Sequence, residues 1–262
     1  MLTGTSKDIN RKSREELKLM RKAGRIVAEV HALVREAIRP GISTAELDAL
    51  AEDHIRKAGA LPTFKGYYDY PATLCTSIND EVVHGIPNPT RILKEGDIIS
   101  IDVGATYRGL IADAAFTAGV GNVDPKVVQL MDATRACLMA AVAQVIPGNY
   151  LEDVSGAVED ANTHGFGLVR NYGGHSVGRK LHEEPFIHNF RTGERGPLLR
   201  VGNTLAIEPM LNLGTDEVFT EDDKWTVTTV DHLPSAHFEH TVACTEEGPV
   251  ILTALDPTCF DS

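Results

Sequence analysis

Apolar residues recur at three- and four-residue intervals early in the chain, where Leu17, Met20, Ala23, Val27, Val30 and Val34 share one helical face. Ser13 and Glu16 have the spacing of a capping box, in which each side chain satisfies an orphan amide at a helix start. Arg39-Pro40-Gly41 stops that helix. A second is predicted from Ser43, again with a glutamate three residues on (Glu46), carrying Leu47, Leu50 and Ile55 to a stop near Gly59. These signals then return. Asp124-Pro125 opens a helix, proline being tolerated in the first turn, with Val128, Met131, Leu138 and Val142 predicted on its buried face. Pro147-Gly148 ends it, and Leu151, Val154 and Val158 continue toward Gly165. The two Pro-Gly stops lie 107 residues apart.

Strand patterns repeat at nearly the same offset. Gly96-Asp97-Ile98-Ile99-Ser100-Ile101-Asp102 has a near copy in Gly202-Asn203-Thr204-Leu205-Ala206-Ile207-Glu208, 106 residues on. Period-two alternation turns Ile99 and Ile101 one way and Ser100 and Asp102 the other; Leu205 and Ile207 likewise oppose Thr204, Ala206 and Glu208. Each half reads helix, Pro-Gly, helix, then strands ending in a carboxylate. The pattern predicts a duplicated α/β unit with its site where the halves meet. We divide the chain into a polar start (1–12), one catalytic domain with internal pseudo-symmetry (13–255) and a loose tail (256–262).

Asp113 follows Asp102 after a turn-like stretch. A hairpin centred on Tyr107 and Arg108 would set the two aspartates opposite each other, Cβ atoms roughly 4.5–5.5 Å apart. Carboxylates that close repel unless a cation lies between them. Glu208 and Glu239 add two more from the second half, and His175, set among glycines in Gly173-Gly174-His175-Ser176-Val177-Gly178, adds a nitrogen. Four carboxylates carry a charge that two divalent cations balance. The oxygen-rich set suits Mn²⁺, Fe²⁺, Co²⁺ or Zn²⁺, and paired metals are a hydrolytic device that acidifies a water and polarises a carbonyl. His182-Glu183-Glu184-Pro185 is not the zinc-protease H-E-x-x-H: Phe186 stands where a second histidine is needed, and Pro185 would disrupt the helix.

Composition narrows the setting. A formal net charge of −12 argues against nucleic acid or an acidic membrane as partner. The start lacks the apolar core of a signal peptide, and the longest mainly apolar run, Cys137 to Ile146, is too short to span a membrane. Four scattered cysteines without a CxxC pair read as reduced thiols of a cytoplasmic protein.

Taken together, Asp102, Asp113, His175, Glu208 and Glu239, with Asn79-Asp80-Glu81-Val82-Val83-His84-Gly85-Ile86-Pro87 and His182-Glu183-Glu184-Pro185, resemble a type I methionine aminopeptidase over about Leu17 to Leu252. The chain starts directly at the catalytic unit, like the short bacterial form. The resemblance implies the α+β pita-bread (creatinase/aminopeptidase) fold, two pseudo-symmetric halves sharing a curved antiparallel sheet backed by helices. It implies a hydrolase that removes the N-terminal methionine of nascent proteins when the next residue is small. By similarity Asp113 and Glu239 bridge two divalent metals, Asp102 completes one, and His175 with Glu208 completes the other. A metal-bridging hydroxide then attacks the first peptide carbonyl, Glu208 shuttles its proton, and His84 and His182 contact substrate. The implied partners are the N-terminal peptide of a nascent chain and the ribosome; the implied form is a cytoplasmic monomer without nucleic-acid or membrane binding of its own.

The methionine pocket implied by the family is Tyr67, Tyr70, Cys75, Leu181 and Trp225; from the residues alone these are either pocket or plain core. Tyr68-Asp69 stands where bacterial relatives usually carry His-Gly, and Leu181 where Phe is usual. A monovalent cation (Na⁺ or K⁺) is implied near Asn79, Glu81 and Ser235. Two rival readings are an Xaa-Pro metallopeptidase of the prolidase type and a non-enzymatic protein that keeps the fold. The former typically carries a large preceding domain, and the latter would be expected to lose ligands.

Overall fold

Both predicted capping boxes form. In the computed structural model, which describes residues 8–256 and 258–261, α1 (Arg14–Ala37) starts with Ser13 and Glu16 bonded reciprocally, and α2 (Thr44–Lys57) does the same with Ser43 and Glu46. Further on, α3 (Pro125–Val142) is capped by Asp124, and α4 (Leu151–Ala161) follows. Gly41 and Gly148, the two predicted stops, adopt φ of 91° and 98°, which glycine reaches at no steric cost. Residues 1–7 of the polar start, and 257 and 262 of the tail, lie outside the described residues.

Helical phase is corrected in two places. In α3 the predicted Leu138 and Val142 are buried, but Val128 is 40% exposed, and Val127, Leu130, Cys137 and Ala141 complete the buried face. In α2 Leu50 is 37% exposed, while Leu47, Ala51 and Ile55 form the buried stripe. Both helices carry apolar residues on more than one face, so spacing alone does not select which face packs.

The strand Ile98–Tyr107 pairs along its whole length with Leu110–Gly119, and its other edge carries Leu74–Ile78 and Leu61–Pro62. A second sheet orders Gly248–Ile251, His240–Thr245, Thr204–Ile207, Gly174–Ser176 and Glu183–Ile187, all antiparallel. As predicted, Ile99 and Ile101 pack toward α1 and α2 while Leu205 and Ile207 pack toward α3 and α4. The opposite face of each sheet is left for polar chemistry. The halves join where Ala115 and Glu239 exchange backbone hydrogen bonds, at 3.3 and 2.9 Å.

The hairpin is centred two residues' pairing away from the prediction. Arg108 and Gly109, both with positive φ, form its two-residue turn, so Asp102 pairs with Ala115 and Asp113 with Gly104. Because the slip is even, both aspartates keep the same face. They are diagonal neighbours, not opposed ones.

The chain's ends are anchored. Ile9 is buried in the second-half core, and Lys12 pairs with Glu183 at 2.7 Å. Where a loose tail was expected after Leu255, buried Arg21 donates to the carbonyl of Asp256 and pairs with Asp261, and it also holds the carbonyls of Leu252 and Ala254 just before it.

Candidate metal centre

One break in a strand ladder builds half of the site. Ile207 faces His240 and Met210 faces His237 in a single continuing register, so Glu208 and Glu239 occupy opposed positions between them. Pro209, which has no N–H, interrupts the ladder there. The displaced backbone groups find other partners: Asn189 Nδ2 donates to Glu208 O at 3.2 Å, and Ala115 takes up both groups of Glu239.

Asp113 is locked by Thr241, whose hydroxyl accepts from the Asp113 amide at 3.0 Å and lies 2.9 Å from its Oδ1. His175 Nδ1–H donates to Ser176 O at 3.0 Å, which leaves Nε2 with a free lone pair. That Nε2 lies 3.5 Å from Asp113 Oδ2 and 3.8 Å from Glu208 Oε1. Ligand atoms of Asp113, His175 and Glu239 fall within 4.8 Å of one another, and all three residues are buried. Such spacings exceed hydrogen-bond lengths and suit atoms that surround a common ion.

Electrostatics point the same way. Burial, reinforced by the neighbouring carboxylates, pushes Asp102, Glu208 and Glu239 well above the usual carboxylate range. Burial raises Asp113 to about 6, against the hydrogen bond from Thr241. His175 is lowered to about 4 by burial and so is neutral, the form that ligates. Asp102 Oδ1 is buried without any hydrogen-bond partner. A buried acceptor in that state is costly, and a divalent cation would satisfy it. The donor set therefore fits a divalent metal.

All twelve predicted site residues line one cavity of about 160 Å³. Its inner wall is Tyr70, Cys75 and Leu181, each at most 5% exposed, so these residues are both packed core and pocket lining. Tyr70 Oη donates to Leu74 O or Gly85 O, and its ring meets Trp225 edge-on at 5.0 Å. His84 turns inward with φ of 62°, and bare Gly85 beside it is required, since a Cβ would lie 2.3 Å from Thr76 O. His182 stands edge-on to His175 at 4.5 Å, its Nδ1 2.9 Å from Tyr67 Oη.

Tyr68 and Asp69 adopt φ of 45° and 67°, the backbone region that glycine reaches at no steric cost. Three residues escaped sequence reasoning as site members. Phe64 and Tyr68 line the cavity, and His237 is buried with Nε2 unpartnered, 3.6 Å from Glu208 Oε2. His237 precedes Glu239 by two positions, and period-two alternation was the available signal. Of the expected cation group, Asn79 and Ser235 meet through Ser235 N–H donating to Asn79 O at 2.8 Å, whereas the Glu81 carboxylate is paired with Arg91.

Residues 18–246 match the family model described as metallopeptidase family M24. The chain belongs to metallopeptidase family M24. Among M24 relatives it is 47% identical to the methionine aminopeptidase of Aquifex aeolicus, over 93% of this chain and 98% of that one. It is 48% identical to methionine aminopeptidase 1 of Mycobacterium tuberculosis, over 94% and 95%. The crystal structure of methionine aminopeptidase from Thermotoga maritima superposes with a TM-score of 0.92 at 44% identity, covering 94% and 99%. An Xaa-Pro dipeptidase from Bacillus anthracis shares the M24 fold at a TM-score of 0.75, but at 21% identity and with only 62% of its length covered. The pita-bread architecture expected from the sequence is thus observed. No helix among the described residues is long and apolar enough to cross a membrane.

Proposed function

We propose that this M24 enzyme is a methionine aminopeptidase, which removes the N-terminal methionine of newly made polypeptides when the next residue is small. The observation that carries this reading is the junction of two features in one small cavity: a converging carboxylate–imidazole set at its mouth, and a closed wall of aromatic, aliphatic and sulfur groups behind it. Such a wall suits a flexible thioether.

Asp102, Asp113, His175, Glu208 and Glu239 would hold two divalent ions (manganese, iron, cobalt or zinc), which supply Lewis acidity to a carbonyl and lower the pKa of water. Glu208 accepts and returns a proton beside the reacting carbonyl. His182, with Tyr67 Oη donating to Nδ1, carries its proton on Nε2 and donates to the oxygen where charge develops. His84, lowered to about 4 by burial, is a second neutral donor. The acidic cluster receives the substrate's free amine. Asn79 and Ser235 would hold a monovalent cation. The enzyme works as a cytoplasmic monomer on chains emerging from the ribosome.

The test is a panel of peptides on metal-reconstituted enzyme. Met-Ala-Ser is expected to release methionine readily, and Met-Leu and Met-Lys peptides poorly. Preferential cleavage before proline in Xaa-Pro peptides overturns the reading in favour of a prolidase-type enzyme.

A further inference from the structure

A second cavity, of about 340 Å³, adjoins the first, and His84, His175, His182 and Glu208 line both. These four residues are the doorway between the chambers. A peptide whose first side chain fills the first chamber, with its first peptide bond at the doorway, can extend its later residues into the second. Residues three and four of an extended peptide then lie roughly 7–10 Å beyond that bond.

The walls of this exit chamber are distinctive. Phe186, 42% exposed, covers Gly173, where a Cβ would come within 2.9 Å of its ring, and Tyr172 stands edge-on to His84 at 5.9 Å. Two glutamates flank them, with unlike fates. Glu183 accepts from Lys12 Nζ at 2.7 Å and from the Arg179 amide at 2.8 Å, so its charge is neutralised within the fold. Glu184 is exposed, and among the described residues its carboxylate has no hydrogen-bond or ion-pair partner. No lysine or arginine lines the chamber. The wall thus presents an uncompensated negative charge beside aromatic surface, a combination that favours a long aliphatic stem ending in a cation.

We propose that the exit chamber is a subsite for the third and fourth residues of the substrate, and that Glu184 makes it select lysine or arginine there. This rests on the aminopeptidase reading. The experiment compares kcat/KM for Met-Ala-Lys-Ala, Met-Ala-Ala-Lys and their glutamate counterparts, on wild type and Glu184→Gln, at low and high salt. For wild type, the lysine-to-glutamate ratio at one of the two positions is expected to be about threefold to fivefold, the size of an exposed ion pair. It should shrink with added salt and fall near one in Glu184→Gln. A ratio near one in wild type, or one that Glu184→Gln leaves intact, overturns this inference alone. Absence of methionine release from every peptide overturns the aminopeptidase reading with it.

Discussion

Ala115 and Glu239 exchange both of their backbone hydrogen bonds, one of a series of contacts (Ile111 with Gly178, Asp113 with Thr241, Thr117 with His237) that join the two half-sheets. The exchange also aligns a row across the molecule. Cys75 faces Asp102, Asp102 faces Ala115, Ala115 meets Glu239, and Glu239 opposes Glu208. As cross-strand partners Asp102 and Ala115 share a face of the sheet, the face that also carries Asp113 two residues before Ala115. Ala115→Leu is therefore expected to fill the centre, abolishing metal uptake and methionine release while circular dichroism stays native. Metal content equal to wild type would contradict this.

Removing a carboxylate that the proposed mechanism shares between two ions should also be severe. Asp113→Ala or Glu239→Ala is expected to lower turnover by at least about a hundredfold, beyond the loss typical of an outer partner. Steady-state kinetics together with metal analysis check it. Activity near wild type in either variant would remove the basis of the mechanism.

His182 and Tyr67 act in series, so their deletions should differ in size. His182→Ala removes a donor to the developing charge and should cost about a hundredfold or more in kcat. Tyr67→Phe only releases the 2.9 Å hydrogen bond that orients the ring and should cost about threefold to tenfold. Equal losses in the two variants would show that Tyr67 does more than position His182.

The metal-free protein should lose stability as pH rises above neutrality. Folded Asp102, Glu208 and Glu239 hold their protons well above the ordinary carboxylate range. The native state therefore binds more protons than the unfolded chain, and stability falls with pH up to those raised values. Below about pH 6.5 the buried imidazoles work in the opposite direction: His84, His175 and His182 sit at about 4, so acid destabilises through them. Above pH 6.5 they are neutral in both states and only the carboxylates contribute. The melting temperature of stripped protein should drop as pH rises past about 6.5, where the imidazoles no longer oppose the carboxylates, and added Mn²⁺ or Co²⁺ should flatten the slope. A flat profile without metal would contradict the crowding of charge described here.

Arg21 tests how the C-terminal segment is held. Its guanidinium, 1% exposed, serves three carbonyls, so Arg21→Met should cost about 3 kcal/mol by leaving acceptors unpaired. Asp261→Ala removes only a partly exposed partner, 26% accessible, and should cost less than about 1 kcal/mol. Chemical denaturation of both variants measures the contrast.

Much of this was legible in the sequence because the signals are local. A capping box closes within four residues, a Pro-Gly stop within two, and strand alternation within five. The duplicated strands therefore announced Asp102 and Glu208 with their facing directions, and the later hairpin slip changed Asp113's partner without changing its face. Less legible were Val128 and Leu50, which obey helical spacing yet lie on faces that nothing covers. The tail after Leu255 carries few apolar residues, and its anchor, Arg21, sits 231 positions away from Leu252.

What the sequence determined by itself is periodicity, hence which side chains share a face, and the inventory of carboxylates and imidazoles able to hold metal. What only tertiary structure decided is the meeting of those faces: Asp113 beside His175, His182 beside Tyr67, Glu184 without an ion-pair partner among the described residues. Alternation and capping depend on neighbours within a turn or two, so they survive in a linear string. Proximity across the two halves depends on how two cores pack and on a single broken ladder at Pro209, which no window of the sequence contains.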